Sequence, residues 1–213
     1  MLVNKTVTDL LDAFAAPTPT PGGGSAAALA GAMAAALLEM VAQMPKTKNN
    51  TPEDRAALDA ALPALKSLRA KLTELVDKDS ASYDAVVAAY KLPKATDDEK
   101  AARKAAVRDA MRGATEVPLE TARASFALAH LARPIAEHGN PNAKSDVSVA
   151  LGLAMQAAGG ARANVEINVD SVGDPDYAAA VRADMEKAMV EAAMTLKATT
   201  EALGWKGHTP PRS

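Results

Sequence analysis

A carboxylate with a phenol one helical turn away can move protons, and the run from Leu75 to Asp84 offers such a pair. Asp79 and Tyr83 are four residues apart and share a helix face. Inside an alanine-rich bundle, a carboxylate beside a phenol suits acid–base chemistry wherever desolvation tunes its pKa. On an open face the same cluster is only solvated polarity. Lys94 follows in Leu92-Pro93-Lys94, just past the end of that periodic run. A second feature is Pro19-Thr20-Pro21-Gly22-Gly23-Gly24-Ser25. Three glycines admit a ligand close to the backbone, and a helix starting there aims free N–H groups at an anion or carbonyl. The bland alternative is a flexible turn. A third set is Asn140, Ser145, Asp146, Asn164 and Asn168. Asp146 and Asn164 are 18 residues apart, five helical turns, so they share a face yet stand roughly 27 Å apart on a straight helix. They either grip opposite ends of a long ligand, serve two sites in a dimer, or are caps and a polar seam.

Other chemistries fit poorly. Gly22, Gly24 and Ala27 satisfy G-x-G-x-x-A, but a proline-rich loop precedes them where a dinucleotide site needs a strand, and no Gly-Lys-Ser/Thr follows. His130, His138 and His208 lack metal-ligand spacing and no cysteine is present, so no metal is expected, and no nucleophile elbow is evident. A net charge of −2 and a pI near 5.9 leave no basic footprint for nucleic acid. The apolar run from Ala26 to Leu38, ended by Glu39, is too short to span a bilayer and suits a core helix. The opening MLVNKTVTDLL does not read as a secretory signal, which makes the cytoplasm the expected location.

Helices must position these residues, because helical periodicity runs almost throughout the 213 residues. The spacing predicts a short helix over Val7–Ala15 capped by Thr6 or Thr8, then an extended Pro17–Pro21 segment. Ser25 opens an alanine-rich helix to about Met44, and Pro45–Asn50 is a polar loop. Thr51-Pro52-Glu53-Asp54 starts a long helix to about Lys91, bent at Pro63. Thr96-Asp97-Asp98-Glu99 starts another toward His138, with kinks at Pro118 and Pro134. A turn at Gly139-Asn140-Pro141, a helix from about Ala143 with Asn142 or Ser145 as its start, and a last helix over Pro175–Leu203 complete the chain. Asn164 to Asp170 alternates like a strand but has no partner strand, so it is read as the end of a helix. Residues 1–204 form one all-α domain, a bundle of long antiparallel helices, and 205–213 a flexible tail. Alanine, about a quarter of the chain, gives each helix little apolar surface, which favours burial by self-association as a homodimer.

Taken together the motifs resemble the tetrahydrofolate cyclodeaminase/cyclohydrolase family. The matching runs are Pro21–Ser25, Asp79 to Tyr83, Leu92-Pro93-Lys94, Glu99-Lys100-x-x-Arg103, Val117-Pro118-Leu119, Gly139-Asn140, Ser145-Asp146 and Asn164-Val165-x-Ile167-Asn168. They occur in the family's order over roughly residues 9 to 177. The resemblance implies an all-helical, dimeric enzyme acting on a folate substrate without cofactor. It implies cyclohydrolysis of 5,10-methenyltetrahydrofolate to 10-formyltetrahydrofolate, with cyclodeamination of 5-formiminotetrahydrofolate as the alternative. A free-standing chain without a formiminotransferase domain favours the first. It also implies Asp79 as the proton-transfer group, Asp146 beside it at the pterin end, and Lys94 serving the glutamate carboxylates or polarising the substrate. Pro21, Gly22, Gly23, Gly24, Ser25, Tyr83, Asn140, Ser145, Asn164 and Asn168 are expected to contact the folate. A non-catalytic folate-binding or assembly module is the rival, and it has no use for Asp79, Lys94 or Asp146 facing a pocket.

Overall fold

The computed structural model describes residues 1–44 and 50–204, so most of the anticipated loop at 45–50 and the tail at 205–213 lie outside the described residues. Helices occupy 87% of what is described. Six are long enough to matter: α1 (Val7–Ala15), α2 (Gly23–Gln43), α3 (Pro52–Tyr90), α4 (Asp97–His138), α5 (Lys144–Val169) and α6 (Pro175–Ala202). Short 3-10 turns at Leu2–Asn4, Pro141–Ala143 and Asp170–Val172 link or precede them.

Side-chain caps start four of them. The Thr6 hydroxyl accepts from the Asp9 N–H, and Asp174 accepts from the Tyr177 N–H behind Pro175. Thr51 with Asp54 and Thr96 with Glu99 form full capping boxes, each satisfying two backbone donors reciprocally. Helix α5 departs from the expected pattern. Its N-cap is Ala143, without a side-chain bond, and Asn140 instead caps the preceding 3-10 turn by accepting from the Asn142 N–H. The alternating Asn164–Val169 stretch is helical, as its lack of a partner strand requires.

Contacts show the chain direction reversing at each long helix. Ser25 meets Asp79 and Glu39 meets Arg69, so α2 and α3 are antiparallel. Gly23 faces Asn164 and Gly160 faces Ala27, so α2 and α5 are too. Two long helices that run the same way also pack together: Tyr177 bonds Glu116 and Arg123 pairs with Asp184, which lays α6 parallel to α4.

Helix α2 is long and apolar enough by composition to cross a membrane, yet most of it is buried inside the bundle. Ala28, Ala35, Leu38 and Val41 join Leu65 and Leu72 of α3, Leu128 and Ile135 of α4, and Val147 and Ala154 of α5 in the main core. A smaller core under α6 gathers Leu119, Phe126, Val165 and Met185. Alanine lets the axes approach closely; a Cβ added to Gly31 would already sit 3.0 Å from a Leu72 methyl.

Candidate active site at the start of helix α2

The first turn of α2 is Gly23, Gly24 and Ser25, preceded by Gly22 as an N-cap that has no side chain to accept the free N–H groups. The acceptor comes from another helix. Ser25 Oγ donates to Asp79 Oδ2 at 2.9 Å, the Ser25 backbone N–H also bonds this carboxyl, and Ser80 Oγ stands 3.2 Å from Ser25 Oγ. A Cβ on Gly24 would lie 2.0 Å from Asp79 Oδ1, so this glycine is bare because Asp79 occupies the space. A Cβ on Gly23 would meet nothing nearer than Asn164 Nδ2 at 3.7 Å. Burial pushes the Asp79 carboxyl above its ordinary pKa, and the two Ser25 hydrogen bonds only partly offset it.

Asn168 is held by a vacancy in α4. Pro118 has no N–H, which deprives the Ala114 carbonyl of its intrahelical donor. Asn168 Nδ2 supplies the missing bond at 2.8 Å. Two of the sequence motifs, Val117-Pro118-Leu119 and Asn164 to Asn168, are thus one structural unit. One turn earlier, Asn164 Nδ2 donates to the Gly160 carbonyl of its own helix at 2.8 Å. Both asparagines are fixed by one N–H each, and their amide oxygens remain as acceptors beside the cavity.

These groups surround a cavity of about 480 Å³, lined by Gly22, Gly23, Gly24, Asp79, Tyr83, Asn164 and Asn168. The turn before α2 and the helices α2, α3 and α5 therefore bring most of the anticipated residues to one place. Ser25 is fully buried behind Asp79, and Pro21 lies in the turn whose Pro19 and Thr20 form the rim. Sequence reasoning did not assign Ser82, Val86, Tyr90, Met111, Ala114, Ile167 and Ser171 to the site, and they complete the wall.

Lys94 does not reach this cavity. It lies in an adjoining groove of about 760 Å³ with Lys100, Arg103, Lys104 and Arg108. Tyr90 and Ser171 line both spaces. Arg103 stacks over the Tyr90 ring, 5.4 Å from its centre, and donates to the Tyr90 carbonyl. The row Lys100, Lys104, Arg108 was legible as a four-residue repeat on one face of α4.

Asn140, Ser145 and Asp146 are elsewhere. They cluster at the opposite end of the unbroken helix α5 from Asn164, so within one chain Asp146 does not join Asp79. Of the histidines, His138 bonds the Asp54 carboxylate and His130 the Thr195 hydroxyl, while His208 lies outside the described residues.

With the geometry fixed, comparison with known proteins is informative. The formiminotransferase-cyclodeaminase family profile matches residues 6–187. The chain is 40% identical over 192 residues to a methenyltetrahydrofolate cyclohydrolase of Methylorubrum extorquens, covering 90% of this chain and 92% of that protein. Its fold matches the crystal structure of formiminotetrahydrofolate cyclodeaminase from Thermotoga maritima with a TM-score of 0.84 and 27% identity, over 96% of this chain and 98% of that one. On the profile match, the identity and the shared fold, this chain belongs to the formiminotransferase-cyclodeaminase family.

Proposed function

We propose that the protein is a methenyltetrahydrofolate cyclohydrolase, converting 5,10-methenyltetrahydrofolate and water to 10-formyltetrahydrofolate. The observation that carries this reading is a carboxyl of raised pKa, Asp79, in the wall of a cavity wide enough for a ring system. Support comes from the Methylorubrum relative, whose name is that activity.

The reaction adds water to the cationic carbon held between two folate nitrogens. A new C–O bond forms, the water gives up a proton, and the tetrahedral carbon then breaks its bond to N5 and becomes the formyl group on N10. N5 takes a proton as it departs, and one proton is released overall. Asp79 is the group suited to receive the proton from water, since a base is most useful with a pKa raised toward the working pH. Its negative charge also favours the cationic carbon. The amide oxygens of Asn164 and Asn168 are acceptors for pterin N–H groups, and the open backbone at Gly22 and Gly23 allows the ring to approach. Lys94 and its neighbouring cations are suited to the glutamate carboxylates of a folate whose rings sit beyond Tyr90. We further propose that the enzyme is a cytoplasmic homodimer, with α2 as a core helix rather than an anchor.

The likeness to the Thermotoga cyclodeaminase favours a second reading, closure of 5-formiminotetrahydrofolate with loss of ammonia. The two differ in what attacks the carbon and what leaves, not in the need for a base. Adding the protein to methenyltetrahydrofolate should abolish the methenyl chromophore faster than buffer alone. Appearance of that chromophore from the formimino compound, with no acceleration of its hydrolysis, would overturn the first reading in favour of the second.

A further inference from the structure

Asp79 and Ser80 are consecutive on α3, so their side chains diverge by about 100° and do not face each other. Ser25 of α2 stands between them. Its Oγ is 2.9 Å from Asp79 Oδ2 and 3.2 Å from Ser80 Oγ. Ser25 is fully buried, so water does not compete for its hydroxyl.

A hydroxyl has one proton to give and two lone pairs. While Asp79 is ionised its oxygens only accept, and Ser25 spends its proton on Oδ2. Ser80 can then only donate to Ser25. The direction of the chain is thereby fixed, from Ser80 to Ser25 to Asp79. Hydrogen bonds in such a chain polarise one another, so the Ser80 donor strengthens the bond that Ser25 makes to the carboxylate.

Burial favours the neutral carboxyl, while the Ser25 hydroxyl and N–H favour the ionised one. Charged neighbours take no part in that balance. Among the described residues, α2, α4 and α5 contribute only uncharged groups to the cavity wall, and Tyr83 and Tyr90 are its other titratable groups. On α3 itself, Asp77 bonds the Leu2 N–H, Lys78 pairs with Glu74, and Asp84 is exposed. Hydroxyls and one backbone N–H are what offset burial at this carboxyl.

We infer that Ser80 is a positioning residue for Asp79. Acting through Ser25, it keeps the carboxylate ionised and commits Oδ2 to the hydroxyl, which leaves Oδ1 to take the proton from water. The inference rests on the reading of Asp79 as the base. It gives a reason for Ser25, which is buried behind Asp79 at the start of an alanine-rich helix. Alanine would fit there, but it would supply no donor and would break the chain.

The titration of the carboxyl reads the chain without any substrate. In protein labelled with carbon-13 at the aspartate carboxyls, Asp79 is the resonance lost in Asp79→Asn. Ser25→Ala should move that titration to higher pH, and Ser80→Ala should move it the same way by less. Adding Ser80→Ala to Ser25→Ala should change nothing further, because the link between them is already gone. A Ser80→Ala protein that titrates like wild type, or a double variant displaced by the sum of the two, overturns the inference. The acid limb of kcat/KM for loss of methenyltetrahydrofolate should follow the same order. At a pH on that limb Ser25→Ala should lose about tenfold and Ser80→Ala about two- to threefold. A loss in Ser80→Ala that is equal at every pH would mark a merely structural role and overturns it as well. If the wild type ignores methenyltetrahydrofolate, the folate reading fails, and the carboxyl titration alone decides whether Ser80 acts on Asp79.

Discussion

Capping α2 requires Asp79 to accept from Ser25, while burial beside Gly24 favours the protonated carboxyl. Asparagine keeps an accepting oxygen of the same shape and nearly the same capping strength but cannot take a proton. Asp79→Asn should therefore fold, bind folate and lose at least about a hundredfold in turnover. The acid limb of the wild-type kcat/KM profile should fall through a pKa above the ordinary value of about 3.9, and it should vanish in the variant. Stability has the opposite sign from that of a salt-bridged aspartate. The folded pKa lies above the unfolded one, so the ionised group opposes folding at neutral pH, and the opposition is relieved as pH falls through the folded pKa. Thermal melts should show Asp79→Asn at least as stable as wild type at pH 7, with the difference narrowing toward acid. Neighbouring glycines separate two reasons for being small. Gly23→Ala meets only an ordinary contact with Asn164, whereas Gly24→Ala must displace Asp79 and should lose activity nearly as far as Asp79→Asn. Equal activity of the two alanine variants would contradict this account. Lys94, outside the ring cavity, belongs to binding: Lys94→Ala should raise KM several-fold with kcat nearly unchanged in steady-state assays.

At the scale of the elements, the bond between Asn168 and Ala114 ties α5 to α4 where Pro118 interrupts the α4 ladder. Removing the amide leaves a carbonyl without a donor, and such a group costs about 1–3 kcal/mol. Pro118→Ala restores the helix N–H and makes the amide redundant. Asn168→Ala should thus be destabilising in the proline background and nearly neutral in the Pro118→Ala background, a non-additivity that a double-mutant cycle in urea detects. Additive effects would show that the side chain and the proline act independently. Pro63 and Pro134 likewise lie inside helices that continue through them, so none of the three ends an element.

For the whole molecule, much of the α2 and α5 surface is apolar, with Met33, Met40, Val149 and Ile167 among its exposed large side chains. A stable pairing of this face should give twice the chain mass in light scattering at micromolar concentration. It should also make Tm rise with protein concentration, because association stabilises the folded state by mass action. A monomer whose Tm is independent of concentration would contradict the dimer. Val149→Glu, which places a charge on the neutral face, should move the protein toward monomer without disturbing the buried core.

Helix type, caps and breaks were legible in the sequence because they rest on local forces. Thr51, Thr96 and Asp174 satisfy donors within three residues of themselves, and the proline and alanine patterns act on their own backbone. The Asp79–Tyr83 face and the glycine turn were legible for the same reason, since a four-residue spacing fixes a shared face wherever the helix goes. That Asp79 would cap α2, that Gly24 is bare for Asp79, and that Asn168 answers Pro118 were not, since each joins residues 50 or more positions apart. Met111 and Ile167 enter the wall for no reason visible in their own neighbourhoods; they are apolar residues that packing happens to leave facing the cavity. The separation of Asp146 from Asn164 was fixed by the sequence as soon as α5 was read as one unbroken rod. What only the tertiary structure decided is which end of that rod carries the cavity, because alanine helices place no large side chain that dictates a unique neighbour, and the choice falls to the sum of many small contacts across the bundle.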